Sequence, residues 1–435
     1  MIKVKKDSLF QVEMTGKFDV DSTLIKKMNQ EIELAYKSLN TSMLKDKQFS
    51  FIMERELETK KLFMSEYGEY IYKKATDGNK NNLPLESLVD RVLRQHSFLV
   101  NPEIETDSSF CEFRIKERHD KMAAVILWGI LRSKKSGEQL IENMLKPSEE
   151  AYQLLPHFEK VRHLDLETVS ISLINNAGYI TFKNSNSLNA EDNSLVRDME
   201  TAVDLISLSK EAKVGILRGG KVNNSKYKGQ RVFSAGINLK HFRQGKISFI
   251  NFLVSRELGY VNKIVRGIRV PSEFSSNIFL EIDTPWLSVV DNFAIGGGMQ
   301  LLLASDYVLG ETYSYASLPA AKEGIVPGLA NLRLGPLSNE RFAKQVILHG
   351  KIIHANSDDG KLIFDSLESS EDIDEKLIDI VKMLAQPAVA INKKMMRIAR
   401  EPLELYREYI SEFILRQAER LYASDVEKSP GEQGA

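Results

Sequence analysis

The chain has 435 residues, of which 43% are hydrophobic and 27% are charged, and its formal charge is −1. This length indicates two domains, or one domain with large additions, while the balanced charge argues against nucleic acid or an anionic membrane as a partner. The single cysteine, Cys111, excludes an internal disulfide and a multi-cysteine metal site.

No apolar segment follows the charged first residues, and no uninterrupted apolar stretch reaches the length of about eighteen residues that a membrane span needs. We therefore expect a cytoplasmic protein. Residues 1–162 predict a helical N-terminal domain, because mixtures of charged and apolar residues such as 54–75 and 112–132 follow a 3.6-residue period. Residues 77–84 interrupt this pattern as a loop.

From Val169 the pattern changes to strands. Residues 169–174 and 179–182 predict a β-hairpin with asparagine and glycine in its turn. A helix is predicted over 191–208, with Asn189 as its N-cap and one apolar face. Short apolar runs at 213–218 and 285–290 each lead into a turn, which predicts a largely parallel sheet with ligands at the strand ends.

Two further segments complete the organisation. Residues 245–279 predict an insertion of helical character, and residues from 386 onward predict helices that end in a frayed polar tail. The fold class is therefore α/β, with a helical N-terminal domain (1–162), a catalytic core (163–385) and a helical C-terminal oligomerisation segment (386–435).

Two turns in the core are rich in small residues. Ala294-Ile-Gly-Gly-Gly-Met-Gln300 places three glycines between an apolar strand and an apolar helix, and Val232-Phe-Ser-Ala-Gly-Ile-Asn-Leu239 is a similar turn about sixty residues earlier. Such turns leave backbone N–H groups exposed, and two donors from two turns make an oxyanion hole. A lone glycine run is more often a packing turn, so the motif depends on the ordered set.

Together with Pro327-Gly328, these turns resemble the crotonase (enoyl-CoA hydratase/isomerase) superfamily, which implies a crotonase-like ββα spiral core and an acyl-CoA substrate. The resemblance places the two oxyanion-hole amides on Ile237 and Gly297. The two catalytic glutamates of hydratases fall here on Gln300 and Ala320. Neither side chain exchanges protons near neutral pH, so hydratase chemistry has no acid or base in these places. Glu323 is nearby, and we interpret it as a structural or surface charge.

Longer runs, among them Arg256-Glu-Leu-Gly-Tyr260, resemble the cofactor-independent dioxygenases that act on 3,5-dihydroxyphenylacetyl-CoA on the way to dihydroxyphenylglycine in glycopeptide antibiotics. The resemblance implies that Glu191, Arg256 and Gln300 hold the dihydroxyphenyl ring. Each has a simpler interpretation: Glu191 as a charge in the first turn of a helix, Arg256 as a solvated or salt-bridged residue, and Gln300 as an amide that needs a partner.

Other assignments concern the two co-substrates. An O2 pocket should be apolar, which makes Leu239, Ile325 and Pro327 candidates, although they are equally consistent with an ordinary core. Lys240, Arg218 and the Lys393-Lys394 pair are candidates for the CoA phosphates, and each is more often a surface charge. No organic cofactor or metal is expected, because the seven histidines form no His-x-x-x-His pair and no Gly-x-Gly-x-x-Gly run occurs.

Three functions remain open from the sequence: the dioxygenase, an aryl-acyl-CoA thioesterase, and a catalytically silent assembly subunit. The general base is not identified. Apolar residues of the C-terminal segment, including Phe413, Ile414 and Leu421, indicate a partner surface. We therefore expect a homo-oligomer, and the resemblance implies a trimer or a dimer of trimers.

Overall fold

The computed structural model describes residues 13–37, 47–100, 109–272, 275–423 and 426. Its α-helices are, in chain order, α1 Phe18–Lys37, α2 Lys47–Ala75, α3 Leu85–Gln95, α4 Ser109–Arg132, α5 Lys134–Met144, α6 Glu149–Val161, α7 Asn193–Leu208, α8 Leu239–Arg243, α9 Ser255–Leu258, α10 Tyr260–Arg266, α11 Gly297–Ala304, α12 Ala330–Leu337, α13 Glu340–His349, α14 Ile373–Leu384, α15 Pro387–Arg400 and α16 Leu403–Leu421. None of these helices is both long and apolar enough to cross a lipid bilayer.

The β-strands are β1 His163–Asp165, β2 Val169–Ile174, β3 Ala177–Phe182, β4 Val214–Gly219, β5 Ile268–Ser272, β6 Ser275–Ile282, β7 Trp286–Val290, β8 Phe293–Ile295, β9 Tyr307–Glu311, β10 Tyr315–Ser317, β11 Ile353–His354 and β12 Ser366–Glu368. The largest sheet has the order β1-β2-β3-β4-β7-β9-β12, and a smaller one has the order β11-β10-β8. In the large sheet, β1, β2 and β3 are antiparallel and the other neighbours are parallel.

The chain forms two compact units, and their division differs from the sequence-based boundaries. One unit holds the described residues up to Ile141 together with Glu404–Tyr422, and the other holds Glu142–Leu403. The second unit therefore includes α6, because the Ser148 backbone N–H before this helix donates to Asp204 of α7 at 2.8 Å. The first unit includes α16, where Arg407 Nη1 donates to the carbonyl oxygen of Leu131 at 2.7 Å.

In the first unit, α2 and α4 pack with their backbones in contact. A Cβ added at Gly68 would lie 2.2 Å from the carbonyl oxygen of Gly129. A Cβ added at Gly129 would lie 2.7 Å from the carbonyl oxygen of Met64, so both positions need glycine. The predicted helical character of this region is confirmed by α1 to α5.

The predicted hairpin at the start of the core is confirmed, but its turn is shorter than predicted, because Gly178 lies within β3 and pairs with Leu173. The hairpin joins β2 to β3 through Asn175 and Asn176, whose φ values of 49° and 66° form a type I′-like turn. Asparagine tolerates this left-handed region better than most residues because its side chain is short and polar.

The predicted N-cap of α7 is wrong. The cap is Asp192, whose side chain accepts a hydrogen bond from the Leu195 N–H at 3.2 Å. Asn189 is instead buried at φ 53°, and its Nδ2 donates to the carbonyl oxygens of Gly220 and Val232. These two hydrogen bonds connect the segment before α7 to the segments that contain Gly220 and Val232.

The insertion after residue 245 is only partly helical. A π-helical turn at Phe249–Val254 leads into α9 and α10, but β5 and β6 then form an antiparallel two-stranded sheet. The helix ends at Gly267, where φ is 72° and a Cβ would lie 2.3 Å from the carbonyl oxygen of Ile282. Because residue 267 is glycine, the end of β6 can pack against it, and the chain continues as a strand instead of a helix.

The side chains predicted to form an oligomer surface are more buried within the chain than the prediction requires. Phe413 and Ile414 are buried within this chain, so they need no second copy, and Leu421 is half-buried. By contrast, α15 exposes Ile391, Met395 and Ile398 at spacings of four and three residues. Association of this chain with itself remains a prediction, but the buried Phe413 and Ile414 do not support it.

Candidate active site

The two glycine turns lie against each other. Ser234 and Ala294 form a parallel bridge, and the Ile295 N–H donates to the Ser234 carbonyl oxygen at 2.9 Å. Gly236 has φ 81°, and a Cβ there would lie 3.2 Å from the backbone nitrogen of Gly297. The structure therefore brings together the two turns that the sequence predicted as neighbours.

The bridge at Ile237 and the helix that begins at Gly297 do not use the N–H groups of these two residues, which are the predicted oxyanion-hole donors. The bridge between Glu191 and Ile237 uses the Gly236 carbonyl and the Asn238 N–H, so the Ile237 N–H faces the opposite side. Gly297 is the first residue of α11, where a helical N–H has no partner within the helix. Ile237 and Gly297 are both half-buried.

Beside these turns lies a buried cluster built on Arg256. Its Nε and Nη2 form a two-pronged bond with the carboxylate of Glu191, and the Nη2–Oε1 distance is 3.2 Å. Both side chains are almost fully buried. Such a fork between a guanidinium and a carboxylate fixes the planes of both groups.

The rest of the guanidinium reaches the glycine turn and Gln300. Arg256 Nη1 donates to Glu257 Oε1 at 2.6 Å and to Gln300 Oε1 at 3.0 Å, and Nη2 donates to the carbonyl oxygen of Gly297 at 2.9 Å. Glu191, Arg256 and Gln300, which the sequence assigned to one site, are therefore in direct contact. Their role toward a ligand remains a prediction.

The local fold explains these positions. Glu191 is held by its bridge to Ile237 and precedes α7 by two residues, so the sequence-based interpretation as a first-turn charge is wrong. Arg256 belongs to the short helix α9, and Gln300 lies on the first turn of α11. Each of the three side chains comes from a segment that contacts a glycine turn.

The cluster has two members that the sequence reasoning missed. Glu257 contacts Arg256, and the buried Tyr260 hydroxyl donates to Glu191 Oε2 at 3.3 Å. Burial raises the pKa of Tyr260, so the phenol stays protonated and keeps donating. The signal was available, because both residues stand in the run Arg256-Glu-Leu-Gly-Tyr260.

Electrostatics keep Arg256 charged. Burial opposes its positive charge, but the neighbouring Glu191 carboxylate, with Tyr260 and Glu257, outweighs this and raises the pKa of Arg256 further above its ordinary value. The guanidinium is therefore a permanent cation inside the cluster.

The Pro327-Gly328 turn closes the same region. Gly328 has φ 46°, and a Cβ there would lie 2.4 Å from Gln300 Oε1 and 2.5 Å from Glu257 Oε1. A side chain at this position would displace these two oxygen atoms, and the left-handed φ itself favours glycine. Ala320, the second position that lacks the hydratase carboxylate, is buried.

Not all of the predicted O2-pocket residues belong to the Pro327-Gly328 turn. Pro327 is buried and adjoins Gly328, whereas Ile325 is half-buried. Leu239 begins α8, two residues after the Ile237 amide, and is also half-buried. Their contact with O2 remains a prediction.

Two of the predicted CoA cations have other roles. Lys393 is buried, and its Nζ donates to the carbonyl oxygens of Ile264 and Thr284 and to Asp306, at 2.7, 2.8 and 2.7 Å. All three of its protons are thus used inside the protein. Lys393 is therefore a structural residue.

Arg218 is likewise committed to carboxylates. Its guanidinium bonds to Asp291 on one side and to Asp374 on the other. These two carboxylates already neutralise the charge that a phosphate would need. Lys240 is exposed and remains a candidate for the CoA phosphates, as does Lys394, which is 41% exposed and pairs with the partly exposed Glu281.

Within the described ranges, no three His, Cys, Asp or Glu side chains are grouped so as to hold a metal ion.

Known proteins include relatives of this chain. The (3,5-dihydroxyphenyl)acetyl-CoA 1,2-dioxygenase of Amycolatopsis orientalis is 40% identical over 365 residues, which cover 84% of this chain and 83% of that protein. Carnitinyl-CoA dehydratase of Salmonella typhi is 27% identical over 228 residues, or 51% of this chain and 77% of that protein. No family model matches the chain.

Among solved structures, an enoyl-CoA hydratase from Mycobacterium avium subsp. paratuberculosis K-10 aligns with a TM-score of 0.50 at 17% identity. The alignment covers 61% of this chain and 98% of that one. This likeness concerns the fold, and it confirms the predicted fold class.

Proposed function

The chain belongs to the crotonase superfamily, in the family of (3,5-dihydroxyphenyl)acetyl-CoA 1,2-dioxygenase, and from this we propose that it converts 3,5-dihydroxyphenylacetyl-CoA and O2 to 3,5-dihydroxyphenylglyoxylate and free CoA. The reaction uses neither a metal nor an organic cofactor. The observation that carries the proposal is the contact of the Glu191–Arg256–Gln300 cluster with the Gly297 turn.

This arrangement supports enolate chemistry. The thioester carbonyl oxygen accepts hydrogen bonds from the Ile237 and Gly297 amides, which stabilise the negative charge that develops when Cα loses a proton. The aryl ring then lies toward the polar cluster. Gln300 and Ala320 supply no acid or base for hydration, so the enolate is left to react with O2.

The proposed sequence of bonds balances. The Cα carbanion gives up electrons to O2, and a C–O bond forms to yield a peroxide at Cα. The terminal peroxide oxygen attacks the thioester carbonyl, the C–S bond breaks and CoA leaves as the thiolate. The remaining Cα proton is then lost as the O–O bond breaks, which gives the α-keto acid. The two protons lost from Cα balance the CoA thiolate and the new carboxylate, and O2 gains the four electrons that Cα loses.

The experiment follows dissolved O2 and free thiol together after chelator-treated protein is mixed with 3,5-dihydroxyphenylacetyl-CoA. We expect one O2 consumed per CoA released, with the α-keto acid formed. CoA release at an equal rate without O2 would identify a thioesterase. Binding without turnover would identify a catalytically silent subunit.

A further inference from the structure

A network of charged side chains joins α7 to α10 in the same compact unit as the candidate active site. Lys263 of α10 donates from Nζ to both oxygens of Asp204, at 2.7 and 2.9 Å, and pairs with Glu200 Oε1 at 2.5 Å. Lys263 and Asp204 are fully buried, whereas the Glu200 side chain is 23% exposed. The proposed reaction uses none of these three groups.

Glu200 also contacts the junction between α9 and α10. Gly259 separates these two helices, because its ψ of −117° is not helical. A Cβ at Gly259 would lie 2.4 Å from Glu200 Oε2, and the backbone N–H of Tyr260 bonds to the same carboxylate. One oxygen of Glu200 is therefore paired with Lys263, while the other lies against the start of α10.

The same junction carries two residues of the candidate active site. Arg256 lies three residues before Gly259, and Tyr260 follows it directly. Both side chains bond to Glu191, Arg256 through its two-pronged contact and Tyr260 through its hydroxyl at 3.3 Å. Glu191 in turn stands two residues before α7. A movement of the junction relative to α7 therefore displaces both groups that bond to Glu191.

We propose that Glu200 is a positioning residue for the candidate active site, which holds the α9–α10 junction against α7 and so sets the places of Arg256 and Tyr260. The assignment rests on the proposed function. Gly259 supports it, because the absence of a side chain there lets the Glu200 carboxylate reach the junction. Lys263 holds the other oxygen of this carboxylate.

The charge of Glu200 depends on the groups around it. Burial raises the pKa of Glu200 to about 7, although the Lys263 ammonium opposes this shift. Asp204 acts in the same direction as burial. From α6, the Tyr152 phenol interacts with Asp204 and Lys263, and the Glu150 carboxylate bonds to the residue that follows Glu200.

Ionisation of Glu200 strengthens its hold on the junction. A carboxylate accepts a hydrogen bond from the Tyr260 backbone N–H more strongly than a neutral carboxylic acid does. The ionised form predominates above pH of about 7. We therefore expect the positioning effect to be largest above this pH and to fade below it.

The test replaces Glu200 by glutamine, which keeps the size of the side chain and an acceptor oxygen but removes the charge. The value of kcat/KM for 3,5-dihydroxyphenylacetyl-CoA is measured for both proteins across this pH range. We expect similar values at about pH 6 and a value about fivefold lower for Glu200→Gln at about pH 8, because the junction is then held less firmly.

A stability measurement distinguishes positioning from a merely structural role. At about pH 8, Glu200→Gln should unfold at a higher urea concentration than the unaltered protein, because it has no proton to lose. Activity and stability should therefore change in opposite directions, as they do where a destabilised group serves function. A merely structural residue would lower both together.

The matched control is Glu167→Gln. The Glu167 carboxylate also pairs with a residue of α7, Arg197, at 2.8 Å, but its side chain is 63% exposed. We expect this variant to have the same kcat/KM as the unaltered protein at every pH, because a surface pair contributes little.

The outcomes separate the two proposals. An unchanged kcat/KM in folded Glu200→Gln, or a loss that is the same at every pH, overturns the positioning role while the dioxygenase stands. Absence of turnover by the unaltered protein overturns the proposed function, and the positioning role falls with it. If Glu200→Gln does not fold, Glu200→Asp withdraws the charge from Gly259 by one methylene and should also lower kcat/KM at about pH 8. An unchanged value in that variant overturns the positioning role.

Discussion

Gly236 and Gly297 are in backbone contact across the two turns of the candidate active site. A Cβ at Gly236 would lie 3.2 Å from the Gly297 nitrogen and 2.9 Å from the Ile295 carbonyl oxygen. Both atoms are backbone, so neither can move aside as a flexible side chain would. The spacing of the two proposed oxyanion-hole amides therefore depends on the absence of a side chain at Gly236.

The substitution Gly236→Ala tests this dependence. We expect kcat to fall about 100-fold, because a methyl group forces the turns apart and misplaces one of the two N–H donors. Steady-state kinetics with the arylacetyl-CoA substrate measures the effect, and circular dichroism checks that the fold persists.

The matched control is Gly229→Ala. Gly229 has φ 79°, close to the 81° of Gly236, but a Cβ there meets no atom within 4 Å. Both variants therefore carry similar backbone strain, and only one carries the clash. Equal losses of kcat in the two variants would show that strain, not the spacing of the turns, limits the activity.

The sequence predicted the residues of this site, but not all of the contacts between them. The glycine turns, Glu191, Arg256 and Gln300 were found by pattern and resemblance, and they do meet. The sequence did not reveal that Arg256 is saturated by protein acceptors, because that depends on segments more than forty residues apart. Arg218 and Lys393 were assigned to the CoA phosphates for the same reason, because the carboxylates with which they pair are distant in the chain.

Local signals predicted the fold well, and distant contacts explain the errors. The Asn175-Asn176 turn and α7 were predicted because turn chemistry and helical period are local. The β5–β6 pair was missed, since it depends on the approach of Ile282 to Gly267. The unit boundaries were displaced for the same reason, because α16 joins the first unit through Arg407.

Neighbouring lysines on α15 provide a test of the structural role of Lys393. Lys393→Met removes two buried bonds to backbone carbonyls and a partly buried bond to Asp306, and should lower the free energy of unfolding by about 2–4 kcal/mol. Lys394→Met should change it by less than about 1 kcal/mol, because Lys394 is 41% exposed and pairs with the partly exposed Glu281. Urea unfolding measures both.

The same pair of variants tests CoA binding. If Lys393 is structural, its loss leaves KM for the acyl-CoA substrate unchanged at a temperature where the variant is folded. A large rise in KM for Lys393→Met alone would return this lysine to the CoA site.

Arg256 should also contribute to stability. Arg256→Met leaves the Glu191 and Glu257 carboxylates buried without their cation, and we expect a loss of about 3–5 kcal/mol in urea unfolding. The control is Arg197→Met, which removes a 59% exposed guanidinium from pairs with Glu167 and Asp198 and should cost less than about 1 kcal/mol. Similar losses would mean that the buried cluster contributes no more than a surface pair.

The ion pairs of Lys263 with Asp204 and Glu200 predict that the stability of the protein depends on pH. Lys263 and Asp204 are fully buried and pair at 2.7 Å, and Glu200 also contacts Lys263. Burial, and then repulsion from Asp204, raises the pKa of Glu200 to about 7 although Lys263 opposes this. Burial likewise raises the pKa of Asp204. Two carboxylates therefore share one cation, and a proton is retained there up to near-neutral pH.

The sign of the effect follows from linkage. The folded protein holds the Glu200 proton more tightly than the unfolded chain does, so this contribution to stability is complete below the unfolded-state pKa, about 4.5. It is lost as the pH rises from there through about 7, with a slope of at most about 1.4 kcal/mol per pH unit. Glu200→Gln stays neutral, so its stability should exceed that of the unaltered protein increasingly across this window. Urea unfolding at several pH values measures the difference, and Glu375→Gln, at an exposed position of α14, should show none. A difference between Glu200→Gln and the unaltered protein that stays constant from pH 4.5 to 7 would show that Glu200 ionises in its ordinary range.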